Sequence, residues 1–359
     1  MKLLPKTGPV NMLPVLFLLA CAAVLGQEDD HGGQTTPLFS SHDPLEVTIE
    51  APIETLMTER PDEEYLDGLF SFTGNDGQTQ SIDLKIRTRG NFRRMEESCD
   101  FTPIRLNFKK KQVEDTVFAG QDKLKLVTHC RSNAPYFEQL LLREYLAYRL
   151  LNVLTENSFN VRLLHITYID TDAAKQLTKY GFVIEDKDDV AARLGMTIVN
   201  SGDITHDQLN PRQATLVNLY QYMIGNTDFS MVKGEPGEEC CHNSELMSAT
   251  GDAPFTPLPY DFDFAGIVNA PYAQANPNFN LHSVRQRLYR GSCRTNDLLP
   301  ETIQYFIDNR ASLYAIVDEI TMLSSRSRKD VPTYLNAFFR DVANPKFVDD
   351  RLIGKCNDI

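Results

Sequence analysis

The chain has 359 residues, of which 42% are hydrophobic and 24% charged. That is ordinary globular composition, enough for one large domain or two small ones. A net charge of −13 argues against a nucleic-acid partner, because phosphate backbones are bound by clustered basic faces.

At the N-terminus, Lys2 and Lys6 precede an apolar run over 12–25 that ends abruptly at Gln27-Glu28-Asp29-Asp30. A charged start, a short apolar core and a polar exit describe an export signal over residues 1–26. The run is shorter than the ~20 residues of a membrane span, and no later run reaches that length. The chain is therefore expected to be periplasmic or secreted, bacterial, and not transmembrane. Leu18-Leu19-Ala20-Cys21 offers a rival to cleavage, an N-terminal lipid anchor at Cys21. Loss of the signal leaves six of the seven cysteines, an even number compatible with up to three disulfides in an oxidising compartment. Cys99 and Cys130 flank the same predicted strands and are expected to pair. The connectivity of Cys240, Cys241, Cys293 and Cys356 stays open.

Residues 27–43 are polar and contain Gly, Ser and Thr, which predicts a flexible leader. Period-two alternation then predicts strands at 45–49, 69–73 and 81–89, with a hairpin turn at Gly74-Asn75-Asp76-Gly77. Further strands are expected at 104–109 and 124–127. Apolar spacing of three and four over 136–154 predicts a long amphipathic helix. Strands at 161–169 and 180–185 follow. Helices are expected at 211–224, where Gly225 is a natural stop, and at 300–323 and 331–342. Strands, one long helix, more strands and then helices give an α+β class. Residues 44–190 would form a strand-rich N-terminal lobe carrying one long helix. Residues 191–359 would form a helical C-terminal lobe, with a cleft between the two.

Two loop segments carry candidate chemistry. One is Gly225-Asn226-Thr227-Asp228, followed by His242-Asn243; the other is Tyr260-Asp261-Phe262-Asp263-Phe264-Ala265-Gly266. Phosphoryl transfer needs a carboxylate to orient the attacking hydroxyl and oxygen ligands to hold magnesium against the phosphates. Asp228, then Asn243, then Asp261 and Asp263 supply those groups in that order. Aspartates in loops also cap helices and stabilise turns, and clustered carboxylates also hold structural calcium.

These motifs resemble the CotH family of atypical, secreted or spore-coat kinases over roughly residues 82–266. Lys85-Ile86-Arg87-Thr88-Arg89-Gly90-Asn91 is similar to that family's Arg-Gly-Asn segment, and Pro103-Ile104-Arg105-Leu106-Asn107-Phe108 to its basic strand. Tyr180-Gly181-Phe182-Val183-Ile184-Glu185 resembles a strand ending in Glu. Asn226-Thr227-Asp228 and His242-Asn243 resemble its catalytic loop, and Tyr260-Asp261-Phe262-Asp263 its metal-binding segment. Thr102-Pro103 stands where the family carries lysines.

The resemblance implies a protein-kinase-like fold and magnesium-dependent transfer of phosphate from ATP to a protein hydroxyl. Asp228 would be the catalytic carboxylate, and Asn243, Asp261 and Asp263 would hold magnesium. Arg89 or Arg105 would reach the nucleotide phosphates, Glu144 would orient that basic group, and Glu185 would belong to the nucleotide site. Two alternatives stand beside it: a catalytically inactive binding or scaffold protein, and a calcium-stabilised interaction module.

Overall fold

Strict alternation of buried and exposed residues begins at β1 (Leu45–Ala51) and recurs in β2 (Leu66–Thr73), β3 (Thr79–Thr88) and β4 (Ile104–Phe108). A computed structural model of the chain describes Met1, Gly33 and residues 35–74 and 77–357. The export signal and Cys21 fall outside the described residues, as do Asn75 and Asp76 at the centre of the expected hairpin turn. Residues 32–359 cluster as one unit.

Short helix α1 (Ile53–Glu59) links β1 to β2, and one turn, α2 (Lys110–Val113), follows β4. The strands β5 (Lys123–Val127), β6 (Val161–Asp170) and β7 (Lys175–Ile184) complete a closed barrel in the order β1-β2-β3-β4-β5-β7-β6. β1 closes it by pairing on both edges. Val47 lies opposite Phe72 of antiparallel β2 and opposite Ile166 of parallel β6. Inward side chains fill the interior, where the Phe70 ring meets Phe108 and Phe118 edge-on at centroid distances of 5.2 and 5.0 Å. A barrel packed in this way has no lumen for a ligand.

Helix α3 (Pro135–Leu154) runs between the barrel and the C-terminal helices and is buried on most faces from Leu140 onward. This exceeds the one-sided burial of an amphipathic helix. Beyond β7 come α4 (Lys187–Leu194), α5 (Pro211–Ile224) and a small sheet of β8 (Thr197–Ile198), β9 (Ser244–Ser248) and β10 (Thr256–Pro259). The chain ends in α6 (Leu299–Asp308), α7 (Arg310–Glu319), α8 (Ser325–Val342) and α9 (Pro345–Arg351). The helix expected at 300–323 is thus two helices that break at Asn309. Part of the expected leader is folded: Leu38 and Phe39 are buried, and Arg162 donates to the carbonyls of Leu38 and Ser41.

The class is α+β, but the protein-kinase-like fold with two lobes is overturned. The strands between residues 44 and 190 close into a barrel of seven, because both edges of β1 are satisfied within one sheet. Residues 44–190 are also not a self-contained body. A single apolar cluster joins Leu141 and Leu146 of α3, Phe182 of β7, Met223 of α5 and Phe338 of α8. Among the described residues, no helix is long and apolar enough to cross a membrane.

Candidate functional site

β3 ends at Thr88, and Gly90 then takes φ +83°, a left-handed turn that glycine adopts without steric cost. The loop it starts forms one wall of a cavity of about 460 Å³. The cavity brings together Arg89, Glu144, Asp228, Asn243, Asp261 and Asp263 of the candidate residues. Arg93, Lys125 and His242, none of them among the candidate residues, line it too. Arg105 and Glu185 do not. Glu185 is engaged by Arg193 through bonds of 3.0 and 2.9 Å and accepts from the Asn160 amide at 2.9 Å. That ion pair ties the end of β7 to α4.

Asp228 follows α5. The helix is capped at its start by Asn210 and stops at Gly225, whose φ is +70°. The Asn226 side chain then accepts from the Asp228 amide at 2.9 Å. The Asp228 carboxylate meets His242 Nε2 at 3.0 Å and accepts from Asn243 Nδ2 at 3.1 Å. Glu235 sits 3.2 Å from the other ring nitrogen. Hydrogen bonding to Asp228 is the main reason the His242 pKa is raised above its ordinary value. Asn243 is used here through Nδ2, so Oδ1 is the atom it can offer a cation.

Asn243 and Asp261 both have left-handed backbones, at φ +52° and +60°. Such conformations in non-glycine residues concentrate at functional positions. Two main-chain bonds hold them. Tyr260 N donates to Asn243 O at 3.0 Å, and Asp261 N donates to the Tyr148 hydroxyl at 2.8 Å. Asp263 is 6% exposed and accepts from the Tyr272 hydroxyl at 3.2 Å. Arg93 lies between two acids, 3.4 Å from Glu144 and 3.5 Å from Asp263. Burial would lower the Arg93 pKa, but Glu144, Tyr272 and the aspartates outweigh it and hold the guanidinium charged. Burial, reinforced by Asp261, pushes both Glu144 and Asp263 upward in spite of Arg93. The carboxylates outnumber the cation between them, so this end of the cavity favours an added cation.

The opposite condition holds nearby. Arg105 of β4 and Lys125 of β5 are cross-strand neighbours, and Arg87 lies opposite Arg105 on the other side. Like charges facing each other across strands are destabilising. Burial, then Arg89 and Arg105, lower the Lys125 pKa to about 8. Burial also lowers Arg89, against the pull of Asp261. Buried Arg105 Nε has no hydrogen-bond partner. Asp261 acts on Arg89 and Glu245 on Lys125, but neither outweighs burial and the neighbouring cations, so an added anion would be favoured here. Beside them the Lys125 ammonium lies 5.4 Å from the centre of the Tyr260 ring, which packs edge-on to Phe159. Val127 and Ile184 extend this apolar end of the cavity.

No protein-family model and no curated protein matches the chain. Among the described residues, no group of three His, Cys, Asp or Glu side chains is arranged to hold a metal alone.

The disulfides pair Cys99 with Cys130, Cys240 with Cys241, and Cys293 with Cys356. The first was expected and the other two were open. Cys241 lies in the cavity wall beside His242. Strand register alone exposes Lys125, because its role comes from facing Arg105. Arg93, with its side chain 11% exposed, lies between two acids, a placement that its local sequence does not signal.

Proposed function

We propose that the cavity binds magnesium and ATP and that the protein transfers the terminal phosphoryl group to a hydroxyl of a protein substrate, in an oxidising, extracytoplasmic setting. One observation carries this reading: a single cavity crowds Glu144, Asp261 and Asp263 together at one end and Arg89 and Lys125 at the other, so that carboxylates disfavour one another's charge and so do the cations. A metal–nucleotide complex presents the matching pair of charges. The argument stands on the site and not on the fold, since one chemistry recurs on unrelated folds.

Magnesium takes oxygen ligands, usually one or two carboxylates completed by phosphate and water, so it needs no three-ligand cage of protein groups. Asp261 and Asp263, with Asn243 Oδ1, fit that donor set. When bound, the metal would neutralise charge building on the transferred group. Arg89 and Lys125, with Arg105 behind them, would hold the phosphates. Tyr260, Phe159, Val127 and Ile184 would pack a flat base. Arg93 keeps Asp263 and Glu144 in place. Asp228 would accept a hydrogen bond from the acceptor hydroxyl and align it, with His242 and Asn243 fixing its carboxylate.

The test uses the oxidised protein, magnesium and ATP labelled in its γ-phosphate. Label should pass to the protein itself or to hydroxyl-bearing peptides. Asp228→Asn should lose at least about a hundredfold in transfer while still binding nucleotide, the usual size for a positioned acid–base group. Binding without transfer in the wild type would reduce the protein to an inactive nucleotide-binding module. A response to calcium alone, without nucleotide, would favour the calcium-stabilised alternative.

A further inference from the structure

The carbonyls on either side of Asp228 converge on one half-buried cation. Arg290 Nη1 donates to Thr227 O at 3.0 Å and also to Phe229 O. Its guanidinium lies over both the Phe229 and Phe279 rings, with Cζ 4.7 Å from each centroid. A guanidinium lying over two rings and bonded to two carbonyls has little freedom, and loop carbonyls bonded to it are correspondingly fixed.

The backbone of Arg290 is itself anchored to the C-terminal segment. Asn357 Nδ2 donates to Arg290 O at 3.1 Å, Asn357 N donates to Gly291 O at 2.8 Å, and Cys293 N donates to Asn357 O at 3.0 Å. The Cys293–Cys356 disulfide locks that pairing across a sequence separation of 63 residues. An unbroken path of contacts thus runs from the disulfide through Asn357 and Arg290 to the two peptide groups that flank Asp228.

We infer that Arg290 is the positioning residue for Asp228 and that the Cys293–Cys356 disulfide holds Arg290 in place. The catalytic meaning of this rests on the role proposed above for Asp228, but the mechanical coupling does not. Reduction of this disulfide would therefore loosen the Asp228 loop while the barrel stays folded.

Amide hydrogen exchange, read without nucleotide, tests the coupling directly. The reporters are the amides of Asn226, Asp228 and Ser230, which bond to Gln221 O, Asn226 Oδ1 and His242 O. In Arg290→Ala their exchange should rise about tenfold or more, as expected when bonds to a charged donor are lost, with the amides of β6 unchanged. Millimolar guanidinium should restore protection in Arg290→Ala. Arg290→Lys, which keeps the charge and the stem, should show a smaller rise and serves if the alanine variant fails to fold. Cys293→Ser/Cys356→Ser should raise exchange at the same three amides.

Unchanged exchange at residues 226–230 in the Arg290 variants, or a rise shared equally by β6, would overturn the positioning role. Protection that persists in the double-serine variant would overturn the part played by the disulfide. Where phosphoryl transfer is measurable, Arg290→Lys should lower its rate and leave nucleotide affinity unchanged. Local loosening without any nucleotide binding would instead keep the coupling and count against the proposed function.

Discussion

Lys125 stands across the strand from Arg105, and burial, then the fields of Arg89 and Arg105, lower its pKa to about 8. A bound anion would reverse the effect and raise the Lys125 pKa. The sign of the pH dependence follows. Below about pH 8 both free and bound proteins carry Lys125 charged, so affinity for ATP is level. As pH rises through 8 the free protein loses the proton that the complex retains, and affinity declines until the higher bound-state pKa is passed. Lys125→Met should weaken ATP binding by about tenfold or more, the scale of a lost charge-assisted contact. The same variant should leave the ligand-free protein as stable as the wild type or more so, because a repulsion is removed. Calorimetry across pH 7–10 and a melting curve read the two halves separately. At this scale the meeting of Asp228, Asn243, Asp261 and Asp263 in one cavity was legible in the sequence, because they fall in two loop segments that lie close along the chain. Lys125 was not, since Leu124-Lys125-Leu126 alternates like any strand exposed on one face. Arg105 and Glu185 show the converse: each has suitable chemistry, yet neither lines the cavity.

Between elements, the end of α5 and the Asp261–Gly266 loop are bound to each other. Gly266 N donates to Gly225 O at 3.0 Å, and Ile267 N donates to Ile224 O at 2.9 Å. The Tyr334 hydroxyl of α8 donates to Arg285 O at 3.1 Å and occupies the space a Cβ would need at either Gly225 or Gly266. Gly225→Ala therefore meets two penalties. The left-handed backbone at φ +70° costs a side chain about 1–2 kcal/mol, and the Tyr334 hydroxyl must move. Urea denaturation should show a loss of at least ~1–2 kcal/mol, with Tyr334→Phe recovering part of it in the double variant. A full additive loss in that double variant would mean that the hydroxyl is not the obstacle. Gly225 as the end of α5 was readable from the sequence, as were most strand cores, because periodicity and glycine report local geometry. The break at Asn309 was not, since no proline or glycine marks it.

Barrel closure belongs to the whole molecule, and the alternation of β1 gives no sign of it. An open sheet and a closed one bury every second residue alike. What decides between them is the parallel pairing of β1 with β6, more than a hundred residues away in sequence. One cysteine pairing of three was legible, for a related reason. Cys99 and Cys130 flank neighbouring strands, whereas Cys293 and Cys356 are joined by the path of the C-terminal helices. The filled barrel and the continuous apolar cluster from α3 to α8 form a rigid mount, and the cavity loops project from its edges. Function at such a site depends on the two charge sets acting together. The most direct measurement is therefore calorimetric titration of ATP into the oxidised protein, with and without magnesium, for wild type and Asp261→Asn. ATP should bind the wild type tightly only with magnesium, and Asp261→Asn should remove the benefit of the metal while residual binding through Arg89 and Lys125 remains. Nucleotide affinity that is absent in the wild type, or indifferent to magnesium and to Asp261, would contradict the paired-charge site.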